Sequence, residues 1–406
     1  MIGFPEALGL IGQQVFTAPK VESLPLESAI GRVLAQVVTA DRDYPPFNRS
    51  QMDGFALAAQ HFVAGKKYRI EHTVYAGSEP GVLQAAREGC VRIMTGAALP
   101  AGCDAVVRLE DSLSDGASVE FRISSLTPGQ FVSAQGEDLR KNDSALKVGD
   151  TISMANIMTL ASFGVANPSV YKPLEVAVIT TGDEVVPVSA KPLPWQIRNA
   201  SAGTMLAFLQ GLPVRVTKVQ HVPDDRQDLT ETVQQALGAE VVLVTGGVSA
   251  GDADYVPGVL QSLGVTQLMH RVAIKPGKPL YFGRKDQTAV FGLPGNPVST
   301  LVCLAVFVRH HVLQRFGQQL TRLSLPLAEA RSKKHELTEF VPVTLTERDG
   351  CAALSPVPLR SSGDIFSCTR AHGLAVHEGT RKNLAAGEML GFIPFTAGFA
   401  HHGSGN

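Results

Sequence analysis

The chain has 406 residues, 44% hydrophobic, 18% charged and 6% aromatic, a composition that excludes disorder as the main state and, at this length, predicts two to four domains. Lys and Arg (36) nearly cancel Asp and Glu (37), so no global field draws the chain to nucleic acid or an anionic membrane; a charge-based function has to be local. The cysteines at 90, 103, 303, 351 and 368 are scattered and never form Cys-x-x-Cys, which argues for a reducing compartment and against a disulfide framework or structural zinc.

The N-terminus lacks a basic region and carries Pro5 and Glu6 in its apolar stretch, so it does not read as a signal peptide. Runs such as Leu301 to Val308 are too short to span a bilayer. The expectation is a cytoplasmic protein. Leu24, Ile30, Leu34 and Val37 recur near the helical period, interrupted by Gly31 and stopped at Asp41. From 41 to 135 the texture is short β runs (Tyr68 to Val74, Cys90 to Met94, Ala105 to Leu109, Val119 to Ile123) between turn residues, which predicts a small all-β unit. Met154 to Phe163 is again helical. The flanking helical segments, 1–40 and 136–173, are expected to form one unit with the β unit inserted between them.

Strands then alternate with helices. Val176–Thr181, Val214–Val219, Val241–Thr245, Pro279–Phe282 and Ala289–Phe291 read as strands; 202–209, 226–237, 256–263 and 297–316 read as helices. Continuous apolar strands with intervening helices predict a doubly wound α/β domain at 174–326, its mostly parallel sheet covered on both faces. The remainder, 327–406, returns to short Pro- and Gly-rich strands, a C-terminal β domain, with His401 and His402 expected in a solvated tail.

In such sheets ligands bind beyond the carboxyl ends of the strands, and the chemistry-bearing segments fall there. VVLVTGGVSAGDADY runs from a buried strand into Gly246, Gly247, Ser249 and Asp254; its glycines let a ligand approach the backbone, and the carboxylate suits a cation or a polar group. Helix capping and a plain turn are an equally weighted structural reading. TTGDE places Glu184 after the first strand, RVAIKPGKP gathers Arg271, Lys275 and Lys278 around a Pro-Gly turn, and LPGNP starts a helix at Pro297 after Pro294. From Arg271 to Lys285 there are five Lys or Arg and no acid, which reads as an anion site. GVSAG also fits a nucleophile elbow around Ser249, for which Asp286 with His310 or His311 would complete a triad. The crowded acidic turn and the helical setting of both histidines weigh against that hydrolase reading.

In order, PPFNRSQMDGFAL, RIMTGAALPAGCDAVVRLED, GEDLRKND, VITTGDEVV, VTGGVSAGDADY, VAIKPGKPLYFG and FGLPGNPVS resemble the molybdopterin molybdenumtransferase family, which includes the E domain of gephyrin. The resemblance covers about 45 to 310. It implies an elongated homodimer of four-part subunits that inserts molybdenum from molybdate into adenylylated molybdopterin, releasing AMP with Mg²⁺ as cofactor and working beside other molybdenum cofactor biosynthesis proteins. Carried over by motif, Asp53, Asp138, Glu184 and Asp254 would be the catalytic carboxylates, with Asp53 and Glu184 as Mg²⁺ ligands. Thr95, Asp224, Gly246, Gly247, Ser249, Arg271, Lys275, Lys278, Pro294 and Pro297 would bind substrate, joined on a shorter match by Arg360 and Ser362. The chain departs from the pattern at Asn199-Ala200-Ser201, where an acid and two polar residues are more usual. A non-catalytic molybdopterin-binding scaffold is the other alternative, but four retained carboxylates beside an anion favour catalysis.

Overall fold

The computed structural model describes residues 1–248, 255–320, 323–348, 350–395 and 400–402. The chain divides into two compact units, one of 1–35, 148–152 and 169–406, the other of 36–147 and 153–168.

The smaller unit carries a six-stranded sheet built from β1 (Gly54–Leu57), β2 (Lys67–Val74), β3 (Gly89–Ile93), β4 (Ala105–Arg108), β5 (Ser112–Ser114) and β6 (Ser118–Phe121), in the order β4-β1-β3-β2-β6-β5. Phe55, Leu57, Tyr68, Cys90, Val107 and Phe121 share its core. Strand β1 did not stand out in the sequence because Asp53-Gly54 reads as a turn. Gly54 is instead where the strand presses against β4, and a Cβ there would overlap the Val107 carbonyl. Helix α2 (Met154–Ser162) belongs to the same unit and starts at Ser153, whose hydroxyl accepts from the Asn156 amide.

The expected helical period over Leu24–Val37 gives only a 3₁₀ turn, Leu26–Ser28. Its amides serve other segments: Gly31 N–H donates to Ile152 O, Leu34 N–H to Asp150 O and Ala35 N–H to Ser169 O. Pro25 and the left-handed Gly31 (φ 76°) disfavour a helix, and pairing across the chain satisfies the backbone instead. The N-terminal helix is α1 (Phe4–Gly12), where Phe4 meets Phe307 and Phe340 edge-on.

In the larger unit, β7 (Leu174–Thr181), α3 (Ala200–Leu209), β8 (Val214–Val222), α4 (Arg226–Ala236), β9 (Val241–Thr245), α5 (Val256–Ser262), β10 (Thr266–His270), β11 (Tyr281–Lys285) and β12 (Thr288–Leu293) build a sheet of order β8-β7-β9-β12-β11-β10. The first four strands are parallel; β10 and β11 add antiparallel pairings. Alternation along each strand feeds two cores. Val176, Val178, Val241 and Leu243 pack on one face with Met205 and Leu209 of α3. Ala177, Ile179, Val242 and Val244 pack on the other with Leu229 and Val233 of α4 and Val259 and Leu260 of α5. Strand β10 escaped the sequence reading because Thr266, Gln267 and His270 dilute its apolar pattern at the sheet edge.

The helix after β12 is α6 (Pro297–Cys303), a π segment Leu304–Val308 and α7 (Arg309–Arg315). Together, Pro297–Arg315 is long and apolar enough to cross a bilayer, which the sequence reading did not anticipate; 78% of that stretch is buried inside the protein, as a core helix requires. A second sheet follows from β13 (Leu323–Pro326), β14 (Thr338–Arg348), β15 (Cys351–Pro356), β16 (Gly373–His377) and β17 (Met389–Pro394), with the short helix α8 (Ile365–Cys368) between β15 and β16. β14, β16, β17 and β13 lie side by side, and β15 pairs with β14. The backbone of Ala400–His402 pairs with Gln318–Leu320, so these residues are not a free tail.

Gly203 lies exposed in α3 with open space around its Cα. Gly203→Ala should raise stability by up to about 1 kcal/mol, because alanine loses less backbone entropy in a helix. Chemical denaturation measures it, and a lowered midpoint would contradict the reading of α3 as unstrained.

Candidate functional site

Register brings three turns to one edge of the large sheet. Thr180 on β7 pairs with Thr245 on β9, and Thr245 pairs with Leu293 on β12. The strands therefore end level, and Gly182, Gly246 and Pro294 follow at the same edge. Gly246 (φ 92°) and Gly247 (φ 60°) are both left-handed. A Cβ on Gly246 would overlap the Thr181 hydroxyl, so glycine is required twice over, by conformation and by space. The turn is pinned by Gly246 N–H donating to Leu293 O, and by the Thr245 and Thr300 hydroxyls, which both donate to Pro294 O at 3.1 and 2.6 Å.

These turns enclose a cavity of about 350 Å³ whose walls include Thr180, Thr181, Glu184, Asn199, Ser201, Thr245, Gly246, Gly247, Pro294, Asn296 and Pro297. Asn199 organises one wall. Its Oδ1 accepts from Ala202 N–H at 2.9 Å, capping α3, while its Nδ2 donates to Thr180 Oγ1 at 2.8 Å; that hydroxyl also meets His221 Nδ1 at 3.0 Å. An amide can accept at the cap and donate to the hydroxyl at once, whereas a carboxylate has only acceptors. The departure at Asn199 thus keeps a connected polar wall.

A second cavity, about 470 Å³, shares Pro279 and Asn296 with the first. Lys275, Arg331 and Arg360 give it cations, and Ser299, Ser361 and Ser362 give hydroxyls. Lys275 is placed by the C-terminal sheet: Ile274–Lys275 pairs in parallel with Thr338–Glu339 of β14. Next in the chain, Gly277 (φ 104°) packs so closely that a Cβ would stand 2.9 Å from Cys303 Sγ. Arg331 Nη2 is 2.9 Å from Glu339 Oε2. Asn296 Nδ2 donates to Ser362 Oγ at 2.8 Å, tying the start of α6 to the 360–364 turn.

The expected site residues therefore separate into groups. Glu184, Gly246, Gly247, Pro294 and Pro297 meet in the first cavity, and Lys275, Arg360 and Ser362 in the second. Asp224 sits beside Asp183, whose Oδ1 accepts the Asp224 N–H at 3.0 Å; burial, then the Asp183 charge, raises the Asp224 pKa. Arg271 (φ 69°) and Lys278 line neither cavity; their carbonyls accept from Ile2 N–H and Val272 N–H. Ser249 and Asp254 lie outside the described residues. The sequence reading placed the Thr180 hydroxyl at this edge without giving it a role, and passed over Thr245, Asn296 and Arg331. Arg331 had no local signal, since only the fold of the C-terminal sheet carries it to Lys275's cavity.

In the smaller unit, Asp53 and Thr95 are joined: Asp53 Oδ1 accepts from both the Thr95 N–H and its hydroxyl at 2.7 Å. The backbone bond first, then the hydroxyl, holds the Asp53 pKa below its ordinary 3.8. Asp138 is exposed in the same unit, its N–H donating to Tyr44 O. A carboxyl with a depressed folded-state pKa stabilises the native state above its unfolded pKa, and that contribution is lost as pH falls through the folded value, here below 3.8. Thr95→Val should shift the Asp53 titration upward without reaching 3.8, because the backbone donor remains. Carboxyl NMR decides; an unchanged titration would remove the hydroxyl from the account.

The histidines of the hydrolase alternative are committed elsewhere. His311 is buried among Phe16, Phe282 and Phe291, and burial, with the nearby Arg315 and His310, pushes its pKa down to about 3. His310 Nε2 lies 3.3 Å from Leu8 O.

Comparison with known proteins agrees with this architecture along the chain. Residues 2–164 match the MoeA N-terminal region (domain I and II), 177–314 the family described as "Probable molybdopterin binding domain", and 324–395 the MoeA C-terminal region (domain IV). The chain is 35% identical over 401 residues to the molybdopterin molybdenumtransferase of Synechococcus elongatus, covering 95% of this chain and 98% of that one. It is 32% identical over 376 residues to the protein of that name from Synechocystis, covering 91% and 94%. A crystal structure of the molybdopterin biosynthesis MoeA protein from Pyrococcus horikoshii superposes with a TM-score of 0.80 at 26% identity, covering 98% of this chain and 99% of that one. With full-length relatives above 30% identity and matching regions in the same order, this chain belongs to the molybdopterin molybdenumtransferase family.

Proposed function

We propose that the protein inserts molybdenum from molybdate into adenylylated molybdopterin and releases AMP. The observation that carries this is the pair of adjoining cavities, one walled by hydroxyls, amides and glycine backbone, the other by Lys275, Arg331 and Arg360. The first suits a polar ring system and its phosphates, held against Gly246, Gly247, Pro294 and Pro297. The second suits a tetrahedral dianion, with Lys275 and Arg360 supplying charge and Ser362 a hydroxyl. Shared walls at Pro279 and Asn296 would hold the two substrates next to one another, which is the positional requirement of the transfer.

Mg²⁺ is part of the proposal. Among the described residues no three His, Cys, Asp or Glu side chains form a metal-holding group, and one Asp53 oxygen already accepts two hydrogen bonds. The ion fits in the manner usual for Mg²⁺, on one or two carboxylates with phosphate and water completing its shell. Glu184 in the first cavity is a carboxylate that would hold it, and Asp53 remains a proposed ligand on its motif alone. When bound, it would neutralise phosphate charge. Asp138 and Asp254 complete the proposed catalytic carboxylates; Thr95, Asp224, Ser249, Arg271 and Lys278 remain proposed substrate contacts on their motifs alone.

We also propose a cytoplasmic homodimer that works with other proteins of the pathway, in four parts: 1–40 with 136–173, 41–135, 174–326 and 327–406. Met154 and Met158, one turn apart on α2, are both exposed, which supports a covered face there. The test of function is incubation with adenylylated molybdopterin, Mg²⁺ and molybdate. Molybdate-dependent AMP release supports the transferase; ligand binding without release would make the protein a scaffold.

A further inference from the structure

Among the described residues no aromatic ring walls the first cavity, yet the substrate proposed above carries two flat ring systems, a pterin and an adenine. The chain's only tryptophan, Trp195, is 71% exposed and stands two residues before Ile197, which with Arg198 and Asn199 lines that cavity. An indole left in water on a slack loop would mean little. This loop is fixed: Gln196 N–H donates to Leu193 O at 2.9 Å, Leu193 N–H to Gln196 Oε1 at 3.1 Å, and Arg198 Nε to Ala190 O at 3.1 Å. Its two ends are paired in parallel, Val185 with Ile197 and Val186 with Arg198. Ile197 N–H donates to the carbonyl of Glu184, itself a cavity residue. The backbone that carries Trp195 is thus fixed, two residues along the chain from a wall of that cavity.

We propose that Trp195 is the stacking platform for a flat heteroaromatic ring of the ligand in this cavity, the pterin or the adenine. The inference rests on the ligand reading given above. An exposed indole supplies a wide apolar face with few rotors to immobilise, and stacking tolerates either ring because both present a π-face.

The test uses the full-length protein and its Trp195→Ala and Trp195→Phe variants. Calorimetry measures binding of AMP, of a simple pterin and of inorganic phosphate, and intrinsic tryptophan emission, which reports Trp195 alone, is followed during the AMP titration. The expected result is about tenfold weaker binding of one ring compound to Trp195→Ala, near-normal binding to Trp195→Phe, and phosphate binding equal in all three proteins. The ring that loses affinity is the one that stacks; if it is adenine, AMP also changes the emission. Equal ring affinities in Trp195→Ala and the unaltered protein would overturn the proposal, as would failure of both ring compounds to bind the unaltered protein. Molybdate-dependent AMP release is assayed separately. Ring binding through Trp195 without AMP release would sink the transferase reading and leave the platform standing, while AMP release with unchanged ring affinity in Trp195→Ala would do the reverse.

Discussion

Lys275→Ala should raise the KM for molybdate in AMP release by up to about 100-fold, because a hydrogen bond to a charged group is worth about 1.5 to 3 kcal/mol. The second cavity has three cations, but they are not equivalent. Arg331 is paired with Glu339 at 2.9 Å, and the charge of Arg360 acts on Asp364, helping to depress that carboxyl's pKa after Ser367 and the Arg360 amide. Lys275 appears in none of the ion pairs among the described residues and is held in place by backbone pairing with β14. With Arg331 paired, Lys275 is the least engaged of the cations and, with Arg360, is left to meet a dianion. The rise in KM should shrink as salt is raised, because screening weakens the unaltered protein more than the variant. Lys278→Ala, at a position that lines neither cavity, should cost far less. An unchanged KM for molybdate in Lys275→Ala, with the same salt dependence as the unaltered protein, would move the anion elsewhere.

The comparison of these two lysines also shows how far sequence can reach. The segment 271–285 displayed its cations openly, and the Pro-Gly turn marked a change of direction. Nothing local told Lys275 from Lys278 or Arg271. What separates them is a two-residue pairing with a strand more than sixty positions away, and Arg331 joins the same cavity by a similarly remote route. The glycine turns were legible for the opposite reason: a left-handed backbone pressed against a neighbouring strand, as at Gly246 against Thr181, leaves room only for glycine. β7, β9 and β12 were legible because each is a continuous apolar run covered on both faces, and β8 because its valines alternate with polar residues along the sheet edge. β1 and β10 were not, since one begins in an Asp-Gly pair and the other lies at an edge with mixed polarity. The 24–37 segment misled because its apolar spacing imitates a helix while its amides bond to residues 150, 152 and 169.

Gly246→Ala should abolish most of the activity in a protein that still folds. At φ 92° an alanine is strained on its own account, by about 1 to 3 kcal/mol. Its Cβ would also overlap the Thr181 hydroxyl and stand 3.0 Å from the Thr181 carbonyl oxygen. Thr181 has little room to retreat: β7 is paired through Thr180 with β9, and the Thr180 hydroxyl is already bonded to Asn199 and His221. The turn has to move instead. Gly246 N–H is bonded to Leu293 O, so movement there carries along the Pro294 wall of the first cavity. A displacement of about 1 Å in positioning groups costs on the order of 100-fold in rate, well beyond what the stability loss alone would produce in a folded population. Denaturant unfolding, AMP binding and AMP release on the same preparation separate the two effects, with Gly203→Ala as the control for adding a methyl group where space is open. Full AMP release by Gly246→Ala would mean that the turn yields without disturbing the cavity, and the ligand would then have to be held by walls other than the glycine edge of the sheet.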